Sequence, residues 1–399
     1  MADEVTDSIE KNSRVRRVIV YQKSLLNYSE TFIKNQSLAL QRWQPILVGE
    51  RYVKPDGLAM DGLKTDLLCP IEAPAWRHFF YRCFRYLNWS DPLVVAHLKR
   101  MKVDLIHAHF GTSGVEIWPY ARALGIPLIV TLHGFDINTS KVHWSTNSIR
   151  RLRLYPERLV RLSRNRNVHF IAVSKAIMEA AVRFGLPRNK LTVSYIGVDT
   201  NYFRLSSISF EERPKRVLFV GRLVKKKGPE YLLHAFEKVR TEIKNAEAVI
   251  IGDGPMRQDL EGLVGRLRLS GVSFRGMLSP DDVLHEISMA RLLCLPSVTA
   301  SNGDAEGFGM VLLEAQACGL PVVTSALGGA QEGCLDGVTG FRFPERDVAE
   351  MAKRIIDLLK DDELVTRMSV AARSFVEKKF DIRDCVERLE KIYDKMLTQ

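Results

Sequence analysis

No apolar run in these 399 residues reaches the length of about eighteen that a membrane-spanning helix needs, so no such helix is expected. The opening stretch, MADEVTDSIEKNSR, is acidic and polar; it lacks the pattern of a secretory signal, and roughly its first dozen residues are expected to be disordered. Cysteine is sparse. The six (Cys69, Cys83, Cys294, Cys318, Cys334 and Cys385) include no C-x-x-C pair, and several stand in apolar surroundings such as RLLCLPS and EAQACGLP. That pattern suits reduced thiols in a cytoplasmic protein and argues against a disulfide frame or a zinc site. No D-x-D triplet occurs, which weakens the case for a cation-dependent phosphate site; no metal is expected. Internal repeats, low-complexity tracts and recognisable nucleic-acid modules are also missing, so a nucleic-acid partner is not expected.

What is present fits a soluble globular chain, 46 % apolar and 26 % charged, long enough for two domains. The net charge of +11 is unevenly placed. Residues 1–205 hold 30 Lys+Arg against 17 Asp+Glu, and the remainder holds 28 against 30. An anionic partner for the first half follows, such as a membrane surface or a phosphorylated lipid.

Short β-branched runs alternate with amphipathic stretches throughout. Strands are expected at 16–21, 45–49, 66–70, 103–109, 127–132, 168–174 and 191–196, then at 216–221, 247–252, 272–276, 292–297 and 321–325. This is an α/β pattern of two doubly wound parallel sheets, with ligands in the crevice beyond the C-terminal strand ends. The polar stretch 197–215 marks the boundary. The expected domains are 1–205 and 206–380, with a last helix over 381–399 packing back on the first.

Three stretches of the second half carry candidate chemistry. In RVLFVGRLVKKKG, Arg222 follows a strand end and Lys225, Lys226 and Lys227 precede Gly228, so the loop is either a solvated basic turn or a site for a diphosphate. Arg275 ends another strand and is placed to face a base. In AEGFGMVLLEA, Gly307-Phe308-Gly309 opens a helix whose first free N–H groups, over Met310 and Val311, form an anion site. Glu306 precedes that turn, and Glu314 lies more than one turn into the helix, where it would accept hydrogen bonds from ribose hydroxyls. Spacing alone does not separate this from two surface glutamates.

The combined pattern resembles the retaining GT-B glycosyltransferases of family 4. Their E-G-F-G-x-x-x-x-E motif is matched by Glu306 to Gly309 and Glu314. Gly221-Arg222-Leu223 with Lys227-Gly228 match G-R-L-x-x-x-K-G. Further matches are Ala315, Gly319 and Pro321 to Val323, then Gly328-Gly329 with Glu332, then Asp336-Gly337 with Thr339 to Phe341. In the first half, His133-Gly134 with Asp136 match H-G-x-D, and Tyr195, Gly197 to Asp199 and Phe203 match Y-x-G-V-D-x-x-x-F. The resemblance implies that Glu306 contacts the transferred sugar, Glu314 holds the ribose, Arg222, Lys227 and the 307–311 turn bind the diphosphate, and His133 reaches the sugar from the other domain. It implies a nucleotide-sugar donor and a glycan or lipid-linked acceptor, with no cofactor.

Two departures stand out. Lys225 occupies a place where many relatives carry glutamate. Where many have a Gly-Gly loop, this chain reads LNYSETFIKNQ, similar to members acting in bacterial exopolysaccharide and capsule synthesis. There Ser29-Glu30-Thr31 either caps a helix or leaves Glu30 free to face the acceptor; Asp136 is a further acceptor or membrane candidate. Two arginine-rich stretches, 75–89 and 149–166, carry Arg77, Arg82 and Arg151 among aromatic and aliphatic residues. They suit anionic lipid; alternatively their aromatics are core and their arginines solvated. A non-catalytic subunit of a glycan-assembly complex would keep the same fold but would tend to lose the glutamates and cations retained here.

Overall fold

The computed structural model describes residues 15–25, 30–53 and 61–398. Ser29 and the opening dozen residues lie outside the described residues. Strands β1 (Arg16–Tyr21), β2 (Trp43–Gly49), β3 (Lys64–Leu67), β4 (Leu105–His109), β5 (Leu128–Leu132), β6 (Val168–Ala172) and β7 (Leu191–Val193) form the first sheet, in the order β3-β2-β1-β4-β5-β6-β7. Strands β8 (Arg216–Val220), β9 (Glu247–Ile251), β10 (Val272–Gly276), β11 (Leu292–Leu295), β12 (Val322–Ser325) and β13 (Gly340–Phe343) form the second, in the order β10-β9-β8-β11-β12-β13. Every pairing is parallel, and Ile19 of β1 registers with Ile46 on one side and Ile106 on the other.

Parallel strands buried on both faces read as unbroken apolar runs, which is why RVIVY, LIVTL and AVII are uninterrupted. In both sheets the strand order reverses beside the first strand. The crevices therefore open after β1 and β4 in the first domain and after β8 and β11 in the second.

Nine helices matter below: α1 (Thr31–Leu38), α2 (Ala75–Leu87), α3 (Gly111–Leu124), α4 (Lys175–Phe184), α5 (Pro229–Glu242), α6 (Pro280–Met289), α7 (Met310–Ala317), α8 (Asp362–Phe380) and α9 (Ile382–Leu397). Helix α6 starts as its sequence signals indicate. The Ser279 side chain accepts from the Asp282 N–H, Pro280 occupies the first turn, and two aspartates follow, so Asp281 and Asp282 belong to a helix start. Strand β13 was not expected: four residues after a D-G-V-T turn are too short a run to read as a strand, and pairing with β12 supplies the rest.

Helix α9 belongs by contact to the first domain. Leu389, Tyr393 and Met396 join Val18, Val20, Trp43, Leu47 and Ile129 in one buried cluster. Glu390, almost wholly buried, accepts from the backbone N–H groups of Gln41 (2.9 Å), Arg42 (2.7 Å) and Trp43 (3.2 Å) and from Arg42 Nε (3.1 Å). The chain crosses between domains at Gly197–Thr200 and again at Phe380–Ile382. The two crossings bond to each other, Val198 N donating to Phe380 O (2.8 Å) and Ile382 N to Val198 O (3.0 Å). Glu390→Ala strands three backbone donors and is expected to cost about 2–4 kcal/mol. Thermal unfolding should report the loss in the first domain, and Glu390→Gln should cost less.

Candidate active site

The chain leaves β8 at Val220, passes the exposed Arg222 and makes one 3-10 turn through Lys225–Lys227. Gly228, at φ +62, then delivers it to Pro229 at the head of α5. Opposite lies the segment after β11. Lys227 Nζ contacts Glu306 Oε2, Ser297 Oγ donates to the same oxygen (3.4 Å), and Lys226 Nζ pairs with Asp304 (3.0 Å). Glu306 is 8 % exposed. Burial raises its pKa, but the Lys227 and Lys226 charges outweigh this and hold the carboxyl below its usual range, so it stays ionised.

Helix α7 starts from Gly309, at φ +82, with no side chain capping its first N–H groups. Met310 is half-buried and Val311 buried at that start. Phe308 is also buried, its ring 5.4 Å from both Tyr195 and Phe380, so only its backbone is placed to meet a ligand. Glu314, further along α7, has its pKa pushed up to about 7 by burial, opposed only by Lys227. One lysine therefore faces both glutamates of the motif.

His133 approaches from the first domain. Its ring packs on Phe110 (4.5 Å) and Phe32 (5.1 Å), and its Nε2 lies 3.0 Å from His109 Nδ1. Burial lowers His133 to about 3 and depresses His109 and His107 as well. Both rings of the bonded pair are thus neutral at pH 7, and one donates to the other. Behind them His107 spans Tyr393 of α9 and Thr131, at 2.6 Å each. His133 acts as a fixed neutral hydrogen-bonding group.

Backbone contacts close the cleft at this point. A Cβ on Gly307 would overlap the His133 carbonyl oxygen, and one on Gly329 would overlap the Gly307 carbonyl. Ser174 Oγ donates to Gly307 O (2.9 Å). Glu332 of the second domain accepts from Lys175 N (3.1 Å) and Ala176 N (3.0 Å), the free donors at the start of α4, and from Tyr195 OH (2.8 Å). Gly307, and Glu332 of the GG-x-x-E segment, thus join the two domains.

Several expected residues stand elsewhere. Asp136 is fully buried and accepts from Gly111 N (2.8 Å), Gly134 N (2.9 Å) and His133 N (3.1 Å). It holds the turn that presents His133 and does not face an acceptor. Arg275 leans to Glu286 on α6 (3.8 Å), a carboxylate that also takes Arg216 from the start of β8; it is grouped with the helix layer, apart from Glu306. Glu30 occupies the N-cap position of α1 without a side-chain cap bond and accepts from Gln22 Nε2 (3.0 Å). Arg77 is buried against Asp91 (2.5 Å), and Arg151 pairs with Glu116 (2.9 Å), so neither is a lipid contact; Arg82 is exposed. Ser297, Ser174 and His109 escaped the sequence reading. Only His109 left a signal there: His107-Ala108-His109 puts two imidazoles on one face of β4, beside the end of β5.

These shifts set a pH profile. If Glu314 accepts from ribose hydroxyls, as the resemblance implies, donor affinity should be full well above pH 7 and weaken below it by up to about tenfold per unit as Glu314 takes up a proton. Glu314→Gln should bind weakly and flatten the profile, and His133→Gln should lower turnover yet keep it. Titration calorimetry of nucleotide binding between about pH 6 and 8, a unit either side of neutrality, is the check.

The chain matches known families along most of its length. Residues 205–375 match the glycosyl transferases group 1 family, and residues 31–202 match Glycosyltransferase Family 4. The amylovoran biosynthesis glycosyltransferase AmsK of Erwinia amylovora is 27 % identical over 307 residues, 76 % of this chain and 73 % of that one. A GDP-mannose-dependent alpha-(1-6)-phosphatidylinositol monomannoside mannosyltransferase of Mycolicibacterium smegmatis is 30 % identical over 313 residues, 73 % and 78 %. The crystal structure of HepE from Anabaena, in complex with UDP and glucose, superposes with a TM-score of 0.74 at 23 % identity, covering 94 % and 99 %. Two parallel-sheet domains, closed through backbone contacts over a lysine–glutamate pair, with both halves matching, make this chain a GT-B glycosyltransferase of family 4.

Proposed function

We propose that the enzyme moves a hexose from a nucleoside diphosphate sugar to a lipid-linked glycan, with retention at the anomeric carbon and without a metal, at the inner face of the cytoplasmic membrane. The observation that carries this is Lys227, paired with Glu306 across the two loops and acting by its charge on Glu314 as well. A diphosphate entering there would engage Lys227 and Arg222, and Lys227, still beside Glu306, would keep that carboxylate ionised next to the sugar. Two cations and a helix start would then stabilise the departing charge. The acceptor hydroxyl would attack from the leaving-group face, its proton passing to the phosphate, and His133 would hold a sugar hydroxyl without changing its own charge.

A UDP-sugar is the first candidate donor, and exopolysaccharide, capsule or O-antigen synthesis the setting. Support comes from the Ser-Glu-Thr-Phe stretch and from relatives such as the amylovoran enzyme. GDP-mannose is the second reading, favoured by the 30 % identical mannosyltransferase. The test is donor hydrolysis and thermal stabilisation across UDP-, GDP- and ADP-sugars with EDTA present, alongside Glu314→Ala. One donor hydrolysed by the native chain and refused by the variant names the base, and the anomeric proton coupling in the transferred product reads retention. Activity that appears only with added divalent cation would overturn the metal-independent mechanism.

A further inference from the structure

Helix α2 is built inside out. Its inward side carries charge: Arg77 on Asp91, Arg85 on Glu50 and Glu116, and Tyr81 donating to Glu50 (3.3 Å). Its outward side carries Trp76, Phe79, Phe80, Tyr86 and Leu87, joined by Trp89 just beyond, all 51–65 % exposed. At 3.6 residues per turn these α2 positions share one arc, and the buried arginines and tyrosine share the opposite one. Phe80 stacks edge-on with Trp76 and Phe79, so the arc is one continuous apolar surface. A patch of this kind on a soluble domain marks an interaction site.

Its border is cationic. Arg82 is exposed on the rim of the arc. Arg150 donates to Tyr86 OH (3.2 Å), which brings alongside the short helix Arg150–Arg153, with Arg150, Arg153 and Ile149 exposed. Just behind, burial and then the charges of Arg151, Arg161 and Arg150 depress the Arg158 guanidinium, a sign of crowded positive charge. Aromatics at the centre with arginines around them complement an anionic bilayer, where aromatic rings sit at headgroup depth and cations meet lipid phosphates. The helix is anchored through Glu50, directly after β2, and so stands at the strand ends where the first domain's crevice opens.

We propose that the aromatic arc of α2 docks the enzyme on an anionic lipid bilayer by inserting Trp76, Phe79 and Phe80, with Arg82, Arg150 and Arg153 on the headgroups. This deepens the reading that the acceptor is lipid-linked and rests on it; vesicle binding is read without donor, and donor hydrolysis without vesicles, so each can fail alone.

The experiment is co-sedimentation of the full chain with vesicles of phosphatidylcholine, and of phosphatidylcholine with phosphatidylglycerol, at low and high salt. Binding to the anionic vesicles is expected, with a component that survives high salt. The triple variant Trp76→Ser, Phe79→Ser, Phe80→Ser should lose about a hundredfold in vesicle affinity, keeping its circular dichroism and donor hydrolysis. Arg82→Ser and Arg150→Ser should each cost about fivefold, at low salt only. Trp76 and Trp89 are exposed, whereas Trp43 and Trp144 are buried and Trp118 half-buried. Brominated phospholipid should therefore quench the native fluorescence, and quench Trp76→Phe less. Absence of vesicle binding would overturn the proposal. So would binding unchanged in the triple variant, or self-association in sedimentation velocity that the same variant abolishes while vesicles stay unbound.

Discussion

Lys227→Met is expected to lower kcat/KM by about a thousandfold and to destabilise the free enzyme as well. The catalytic loss is that of a positioned cation in a closed cleft, where one such group is worth two to three orders of magnitude, about 3–4 kcal/mol. The structural loss has a separate cause. Glu306 is ionised only because Lys227 and Lys226 outweigh its burial. With Lys227 gone, a buried carboxylate loses its nearest partner, at a cost of about 3 kcal/mol, and its pKa should rise above the usual range. The sign follows: the stability that the depressed pKa contributes is present above the unfolded-state pKa and lost as pH falls through the folded one, so the native pair weakens only in acid. In Lys227→Met the dependence reverses, and stability should fall as pH rises above the ordinary carboxylate range. Adding Glu306→Gln to Lys227→Met should restore the melting temperature and leave turnover lost. A double variant as unstable as the single one would mean that the ion pair is not what holds the loop.

Gly307→Ala should nearly abolish transfer without touching a charged group. Its new methyl overlaps the carbonyl of His133, a backbone atom that no rotamer change can move. The domains must part, or the turn must distort. Either way His133 no longer meets the donor pocket, and a displacement of this size is expected to cost about a hundredfold or more in kcat. Where the domains part and the turn keeps its shape, nucleotide binding should survive, because Arg222, Lys227 and Glu314 all belong to the second domain. Thermal stabilisation by nucleotide should thus persist, while small-angle scattering records a larger radius of gyration than the native chain. Full turnover would show that the closed contact is dispensable.

Much of the fold was legible because parallel strands write themselves as uninterrupted β-branched runs. RRVIVY and PLIVTL become β1 and β5 with little adjustment of their ends, and the alternation with helices gave two sheets. The site was legible only as residue types. Glu306 and Lys227 were seen, but not that they pair with each other, since that depends on a loop after β11 folding against a loop after β8. Asp136, Arg77 and Arg151 went wrong for one shared reason: a charged residue in sequence suggests surface, and only the packed structure reveals the partner that lets it stay inside. Asp136 has three backbone N–H groups, Arg77 has Asp91, and Arg151 has Glu116. Helix α2 is the sharpest case. Neither expected reading had arginines turned inward and aromatics outward, because the carboxylates that draw the arginines in come from the residue after β2, from α3 and from the start of the next helix.

The paired crossings near Val198 and Phe380 bear on how relatives of this chain can exchange parts. A hybrid that takes residues up to the first crossing from one enzyme and everything after it from another would be mismatched at its far end. The 16-residue helix that closes the chain completes the sheet at its beginning, through Glu390 beneath the start of β2 and Tyr393 against His107. The first domain in this architecture is therefore inherited as two separated segments, a head and a tail. A working hybrid must take both from the same parent and graft the second domain between them as an insert.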